Sequence, residues 1–262
     1  GSMNAYVETK IRLLKSQGLE FVVVNLDSEY IEKIVAAVPN DLDLWGFSLA
    51  GNKTTRGETV SASNLNSNTD GIEFEVCRLE QKEAVKIPVY GDFNFENSLA
   101  VLTVLLAMGL SLTEAVKRIG RIKVIDGRME HFRSGEQSPD VFVDYAHTPD
   151  ALENVLLSLK SHCTNKLWLV FGCGGERDRG KRPQMGGIAE KLADHVVVTD
   201  DNPRSENADQ IIEDILSGCE STKIEVIRDR KRAIKSAINH ADVDDTVLIA
   251  GKGHETWQEI NG

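Results

Sequence analysis

The second half of the chain repeats one pattern. Short apolar runs end at Gly, Asp or Pro, and amphipathic stretches follow them. Val141–Tyr145, Leu167–Phe171, His195–Thr199, Ile224–Ile227 and Val247–Ala250 read as strands. Pro149–Ser161, Ile188–Leu192, Ala208–Ser217 and Arg230–Asn239 read as the helices between them. Strands and helices that alternate at these lengths predict an α/β fold with a mainly parallel, doubly wound sheet. The first half is less regular. Ala5–Gln17 and Ser28–Val38 read as helices, and Glu20–Val24 and Asp43–Leu49 as strands. Gly51–Thr69, rich in Ser, Thr and Asn, reads as a loop or a poorly paired hairpin. Gly71–Arg78 alternates apolar and polar residues as a half-buried strand does, and Ala84–Tyr90 is expected to pair with it. Phe93–Met108 carries a broad apolar helix surface that Gly109 stops. Ser111 then opens a helix to Ile119, with Glu114 completing a capping box. Gly127-Arg128 marks a joint, and the strands before it lack a crossover plan, which suggests part of a larger domain.

Composition narrows the function classes. The 262 residues suffice for one large or two medium domains. With 41% hydrophobic residues, the chain has no apolar run of bilayer-spanning length and no secretory signal pattern. A net charge of −11 argues against a general nucleic-acid binder. It leaves room for anionic ligands, because Arg177, Arg179, Lys181 and Arg182 form a local basic cluster. Cys77, Cys163, Cys173 and Cys219 are too far apart for zinc-finger spacing and read as buried free thiols of a reducing cytosol.

Candidate chemistry sits where the strands end. Val196-Val-Val-Thr-Asp-Asp-Asn-Pro-Arg204 runs from a buried strand into turn chemistry, and the proline stiffens the loop that projects Arg204. A guanidinium there matches the two oxygens of a carboxylate or phosphate; the plainer reading is a capping Asp and a solvated Arg. Gly172-Cys-Gly-Gly-Glu-Arg-Asp-Arg-Gly180 could bring backbone N–H groups to an anion, or be a flexible loop. It lacks the dinucleotide-binding glycine spacing, and no Walker A sequence occurs. Asp144-Tyr-Ala-His-Thr-Pro-Asp150 could orient a nucleotide or a metal-bound water, or Thr148 or His147 could simply cap the next helix. In Gly251-Lys-Gly-His-Glu255 the acid could hold an ammonium or be solvated. The loops carry weight together: four strand ends bear Gly or charged side chains, at the place where open α/β sheets bind ligands.

These four strings, with Phe171 preceding the second and Lys181-Arg-Pro183 closing it, together resemble the Mur ligase family over the chain from Met3 onward. The resemblance implies that residues 1–127 are part of a central ATP-binding domain and 128–262 a C-terminal Rossmann-like, amino-acid-binding domain. It implies an ATP-dependent ligase that adds meso-diaminopimelate to UDP-MurNAc-L-Ala-D-Glu. In such an enzyme ATP makes an acyl phosphate of the D-glutamate carboxylate, and the diaminopimelate amine displaces phosphate. By the resemblance, Asp201, Asn202, Pro203 and Arg204 form the amino-acid selectivity motif, with Arg204 on the distal carboxylate and Arg177 as a second contact. Gly251 and Glu255 receive the distal head, Glu255 taking the ammonium. Lysine has no distal carboxylate, so Arg204 favours diaminopimelate.

The resemblance further assigns Asn94 and Asn97 to the nucleotide, although both could serve as helix N-caps. It places Arg128, Asp144 and His147 at the ATP site. Lys10 matches a lysine that is carbamylated and positions Mg²⁺; without the resemblance it reads as a surface helix residue. Lys10, Arg128 and His147 are the expected catalytic set, with ATP and Mg²⁺ as cofactors. The enzyme is expected to be cytoplasmic, monomeric and free of nucleic-acid or membrane partners. The UDP-binding domain, the P-loop and the first half of the ATPase domain do not occur, so the chain is expected to be a fragment without ligase activity of its own. The rival readings are a non-catalytic amino-acid-binding module and a folylpolyglutamate-synthetase-like ligase.

Overall fold

The computed structural model describes residues 3–68, 71–220 and 224–260. Contacts divide the chain into two compact units, Gly1–Lys123 and Val124–Gly262.

The first unit is built on a five-stranded sheet in the order β1-β2-β3-β4-β5. The strands are β1 (Phe21–Asn25), β2 (Asp43–Ser48), β3 (Glu58–Asn68), β4 (Gly71–Arg78) and β5 (Gln81–Ile87). β1, β2 and β3 run parallel, and β3-β4-β5 form an antiparallel meander. Alternation along β1 splits its side chains between two layers. Val22 and Val24 pack with Leu26, Val38 and Leu44 beside α2 (Ile31–Ala37). Phe21 and Val23 turn to the larger core, where α3 (Phe93–Ala107) and α4 (Leu112–Ile119) cover the sheet. Leu99, Leu102 and Leu106 of α3 meet Ile72, Phe74 and Val76 of β4 in that core, and the rings of Phe74 and Phe95 meet edge-on at 5.9 Å.

Three expectations change here. The stretch 51–69 is no loop over most of its length, because β3 occupies Glu58–Asn68. Its register with β4 runs from Val60↔Arg78 to Asn68↔Gly71 with an irregularity between Ser63 and Asn66. Only Val60 and Ala62 of this strand are buried, so backbone pairing with β4 makes it a strand, and its polar side chains gave no such signal. The first helix, α1, covers Met3–Ile11 and tightens into a 3₁₀ turn at Arg12–Lys15. Ser111 does cap α4, its hydroxyl accepting from Glu114 N–H at 3.2 Å, while the Glu114 carboxylate accepts from Arg118 instead of closing the box.

The second unit holds a six-stranded sheet in the order β10-β9-β8-β11-β7-β6. These are β6 (Glu130–Phe132), β7 (Asp140–Asp144), β8 (Leu167–Phe171), β9 (His195–Val198), β10 (Glu225–Val226) and β11 (Thr246–Ala250). All neighbours are parallel except β6, which is antiparallel to β7. α8 (Arg230–His240) packs through Ala233 and Ala237 on Val170, Val197, Val247 and Ile249. α5 (Pro149–His162) and α6 (Lys181–Leu192) pack on β11 and β9 and against each other, and α7 (Ala208–Leu216) packs on α6. With both faces covered, Leu167, Leu169 and Phe171 are fully buried, as the unbroken apolar run of β8 predicts. The fold is the α/β, doubly wound arrangement that the pattern implies.

Because β7, β8, β9 and β11 are parallel, their carboxyl ends lie along one edge of the sheet. No helix among the described residues is long and apolar enough to cross a membrane. The four cysteines are free thiols; Cys173 alone is buried, and the other three are half-buried rather than buried as expected.

Leu102 is wholly enclosed in the first unit's core. Leu102→Ala is expected to lower the unfolding free energy by about 2–5 kcal/mol, measured by urea denaturation.

Candidate functional site

The loops that leave β7, β8, β9 and β11 enclose a cavity of about 520 Å³. Tyr145, Arg177, Asp201, Asn202, Arg204 and Glu255 line it, together with Gly251 and residues 147–149. The structure thus brings together on one unit most of the residues the sequence singled out.

Asn202 is the joint. Its Oδ1 accepts from Lys252 Nζ at 3.0 Å and from Glu259 N–H at 2.9 Å. Its Nδ2 donates to Glu255 Oε2 at 3.1 Å, and its carbonyl accepts from Gly175 N–H at 2.9 Å. Pro203, also buried, gives its carbonyl to Glu206 N–H at 3.0 Å, which closes a turn. The loop bearing Gly175 lies so close that a Cβ there would stand 2.0 Å from Pro203 O, so this position needs glycine. Gly251 has φ +109°, a conformation that strains any residue with a side chain, and Asp201 Oδ2 lies 3.1 Å from where a Cβ would stand.

Arg204 is a non-glycine residue in the left-handed region, φ +54°. That conformation is held by its N–H donating to Glu259 O at 3.1 Å, and its Nη1 donates to Gly175 O at 2.8 Å. Its Nε pairs with Glu259 Oε2 at 3.1 Å. The expectation of a freely projected arginine therefore changes: its inner edge is bound, and Nη2 has no partner among the described residues. Arg177 is exposed and without an ion pair among the described residues.

Glu255 receives Lys252 Nζ at 3.0 Å on Oε2 and Tyr145 OH at 3.5 Å on Oε1. Burial pushes its carboxyl upward, but the bonds from Lys252 and Asn202 outweigh it and hold the pKa below the ordinary value. The group is an anion beside the cavity. Asp201 lies 4.0 Å from Arg230 Nη1, and Arg230, almost wholly buried, donates its Nη2 to Ala250 O at 2.8 Å.

Asp144 is buried, and its carboxylate is committed to backbone. Oδ2 accepts from Met129 N–H at 2.8 Å and Oδ1 from Ala146 N–H at 2.7 Å. Burial raises its pKa despite those bonds. His147 is exposed, with Nδ1 2.8 Å from Tyr145 O, and its carbonyl accepts from Lys181 Nζ at 2.7 Å. Thr148 caps α5 and Pro149 occupies its first turn. The Arg128 guanidinium lies over the Tyr145 ring at 4.6 Å, and the His147 ring meets that ring edge-on at 4.7 Å. Tyr145 was not singled out from sequence, although it stands inside the Asp144–Asp150 string. Lys252 and Glu259 were missed as well; nothing but the fold shows that they meet Asn202.

One cation of the basic cluster is misassigned by sequence. α6 begins at Lys181 rather than Ile188, and this turns Arg182 inward. Arg182 has no exposed surface: it pairs with Glu206 through two bonds, at 2.9 and 2.8 Å, and with Asp214 at 2.8 Å.

Lys10, Asn94 and Asn97 belong to the first unit. Lys10 is exposed on α1, its Nζ 5.4 Å from the Tyr6 ring centroid. The two asparagines share one helix face, Asn97 Nδ2 donating to Asn94 Oδ1 at 3.1 Å, while Asn94 Nδ2 donates to Tyr90 O at 2.7 Å. Neither is the N-cap, a position held by Asp92. Among the described residues no group of three or more His, Cys, Asp or Glu side chains could hold a metal ion. A divalent cation here would therefore need oxygens of a bound ligand in addition to the protein's own donors.

Two family models match the chain: the Mur ligase middle domain over residues 1–105, and the Mur ligase, glutamate ligase domain over residues 127–253. The chain belongs to the Mur ligase family. Relatives in that family include the UDP-N-acetylmuramoyl-L-alanyl-D-glutamate–2,6-diaminopimelate ligases of Xanthomonas campestris pv. campestris strain 8004 and Coxiella burnetii. The first is 45% identical over 263 residues, covering 100% of this chain and 52% of the relative. The second is 42% identical over 261 residues, covering 99% of this chain and 53% of the relative. The chain thus spans about half the length of the Mur ligases it matches. A solved structure of such a ligase is 38% identical with a TM-score of 0.66, over 100% of this chain and 54% of the other. Folylpolyglutamate synthase from Thermotoga maritima, at 20% identity and TM-score 0.62, covers 89% of this chain and 61% of its own and shares the fold alone.

The Glu206 carboxyl is brought down from 4.5 to about 2, chiefly by its hydrogen bonds from Arg182 and then from Glu176 N–H. A depressed folded-state pKa contributes stability that is complete above the unfolded value and is lost as pH falls through the folded one. The second unit is therefore expected to lose stability between about pH 4.5 and pH 2. Thermal melts across that range should show a shallower slope in Glu206→Gln.

Proposed function

We propose that this chain supplies the amino-acid-binding half of an ATP-dependent ligase that adds meso-diaminopimelate to UDP-MurNAc-L-Ala-D-Glu. One observation carries the reading: Arg177, Arg204 and the Glu255 carboxylate line the same cavity. A free amino acid with a carboxylate and an ammonium at its far end complements that set. The guanidiniums take the carboxylate and Glu255 the ammonium. Asp201, Asn202, Pro203 and Gly251 shape the wall between them. Lysine offers the ammonium but leaves Arg177 and Arg204 without a partner, so the set discriminates against it. The chain's own contribution is to bind and orient the amino acid so that its reactive amine faces an activated carboxylate.

ATP and Mg²⁺ belong to the same reading. Asn94 and Asn97 in the first unit, and Arg128, Asp144 and His147 in the second, are the proposed nucleotide residues. Lys10, as a carbamate, is the proposed metal ligand. ATP supplies the phosphoryl group that activates the carboxylate. No Walker A sequence is present in the 262 residues, so amide synthesis by this chain alone is expected to be undetectable. The reading as a non-catalytic binding module places the amino acid in the same cavity.

Titration calorimetry with meso-diaminopimelate, lysine and glutamate tests the proposal. Diaminopimelate is expected to bind in preference to both others; equal binding of lysine would overturn the specificity. Arg204→Ala should weaken diaminopimelate by roughly 1.5–3 kcal/mol, the worth of a charged hydrogen bond, and leave lysine unchanged. ATP-dependent amide formation by the isolated chain would overturn the expected inactivity.

A further inference from the structure

A buried arginine stands where local rules disfavour it. Arg182 is the second residue of α6, and a cation there opposes the positive end of the helix dipole. It is fully desolvated as well. Both costs are offset by tertiary partners. Nη1 reaches Glu206 Oε1 and Asp214 Oδ2, and Nη2 reaches Glu206 Oε2 at 2.8 Å and Gly174 O at 3.2 Å. Glu206 has two further partners, because its Oε1 also pairs with Arg179 Nη2 at 2.9 Å and its Oε2 accepts from Glu176 N–H at 3.0 Å. Arg182 thereby grips both sides of a seam between the loop 172–177 and the loop 201–206. Gly175 N–H to Asn202 O and Arg204 Nη1 to Gly175 O cross the same seam, and the Ser205 hydroxyl donates to the Glu176 carboxylate. Glu176, immediately before Arg177, is held in the left-handed region at φ +54°.

We infer that Arg182, through Glu206, is a positioning residue that fixes the spacing between the guanidiniums of Arg177 and Arg204, and so sets selectivity for a ligand with a distal carboxylate. Arg177 hangs from one loop and Arg204 from the other, and the clamp determines how the loops meet. A lysine at 182 keeps the charge but cannot serve Glu206, Asp214 and Gly174 O together, because an ammonium lacks the planar fork. The selectivity part rests on the reading of the cavity given above; the clamp itself does not.

The test uses the whole chain with Arg182→Lys, Glu206→Gln, and Leu152→Ala as a control that loosens the second unit's buried core while leaving the clamp residues in place. Hydrogen exchange in the ligand-free protein is expected to quicken about tenfold or more at the Gly175 and Glu176 amides in both clamp variants, while β8 keeps its protection. Calorimetry is expected to show diaminopimelate affinity falling about tenfold, with lysine affinity unchanged. Wild-type protection at Gly175 and Glu176 in the clamp variants would overturn the inference, and so would equal release of these amides in Leu152→Ala. Glu206→Gln preserves shape and volume, so it decides the matter if Arg182→Lys does not fold. If the amides are released but the wild-type chain shows no preference for diaminopimelate, the clamp stands and the substrate reading fails.

Discussion

Asn202 joins three loops of the second unit, two through its side chain and the third through its backbone carbonyl, and both polar atoms of the side chain are engaged. It donates to the acid of the β11 loop and accepts from the ammonium of that loop and from the backbone at Glu259, while its carbonyl takes the Gly175 amide. An amide is suited to this because it donates and accepts at fixed angles. An aspartate could not donate to Glu255, and an apolar residue would cost both Lys252 and Glu255 a hydrogen bond in a largely buried place. The cavity's shape follows from this small network more than from any single cation lining it.

Charge around the cavity is sorted by depth. Deep groups are matched in pairs: Lys252 with Glu255, Arg182 with Glu206 and Asp214, and Arg230 beside Asp201. Cations nearer solvent, Arg177 and the outer edge of Arg204, are left to meet something else. Removing one member of a deep pair strands the other charge in a poor solvent, whereas an exposed cation costs little to leave unpaired. A protein of net charge −11 can in this way present a locally basic wall to an anionic ligand.

The relation to the Mur ligases fits this layout without adding to it. The family match shows kinship across nearly the whole chain, and the relatives are about twice as long. The second unit carries its cavity on its own loops.

Much of the fold was legible because the second unit is regular. Buried parallel strands are continuous apolar runs, and their helices begin with caps such as Thr148 and Asp229. The four cavity-lining loops were legible for the same reason, since strand ends are marked by Gly, Asp and Pro. β3 was hidden because its pairing is made by backbone groups, which carry no sequence signature. Arg182 and Arg177 lie five residues apart in one basic stretch, and composition treats them alike; the start of α6 sends one inward and leaves the other in solvent. The chain's order of residues determined which loops bear chemistry. Only folding decided which charges neutralise one another within the protein and which stay open to a ligand, because that depends on distances between segments far apart in sequence.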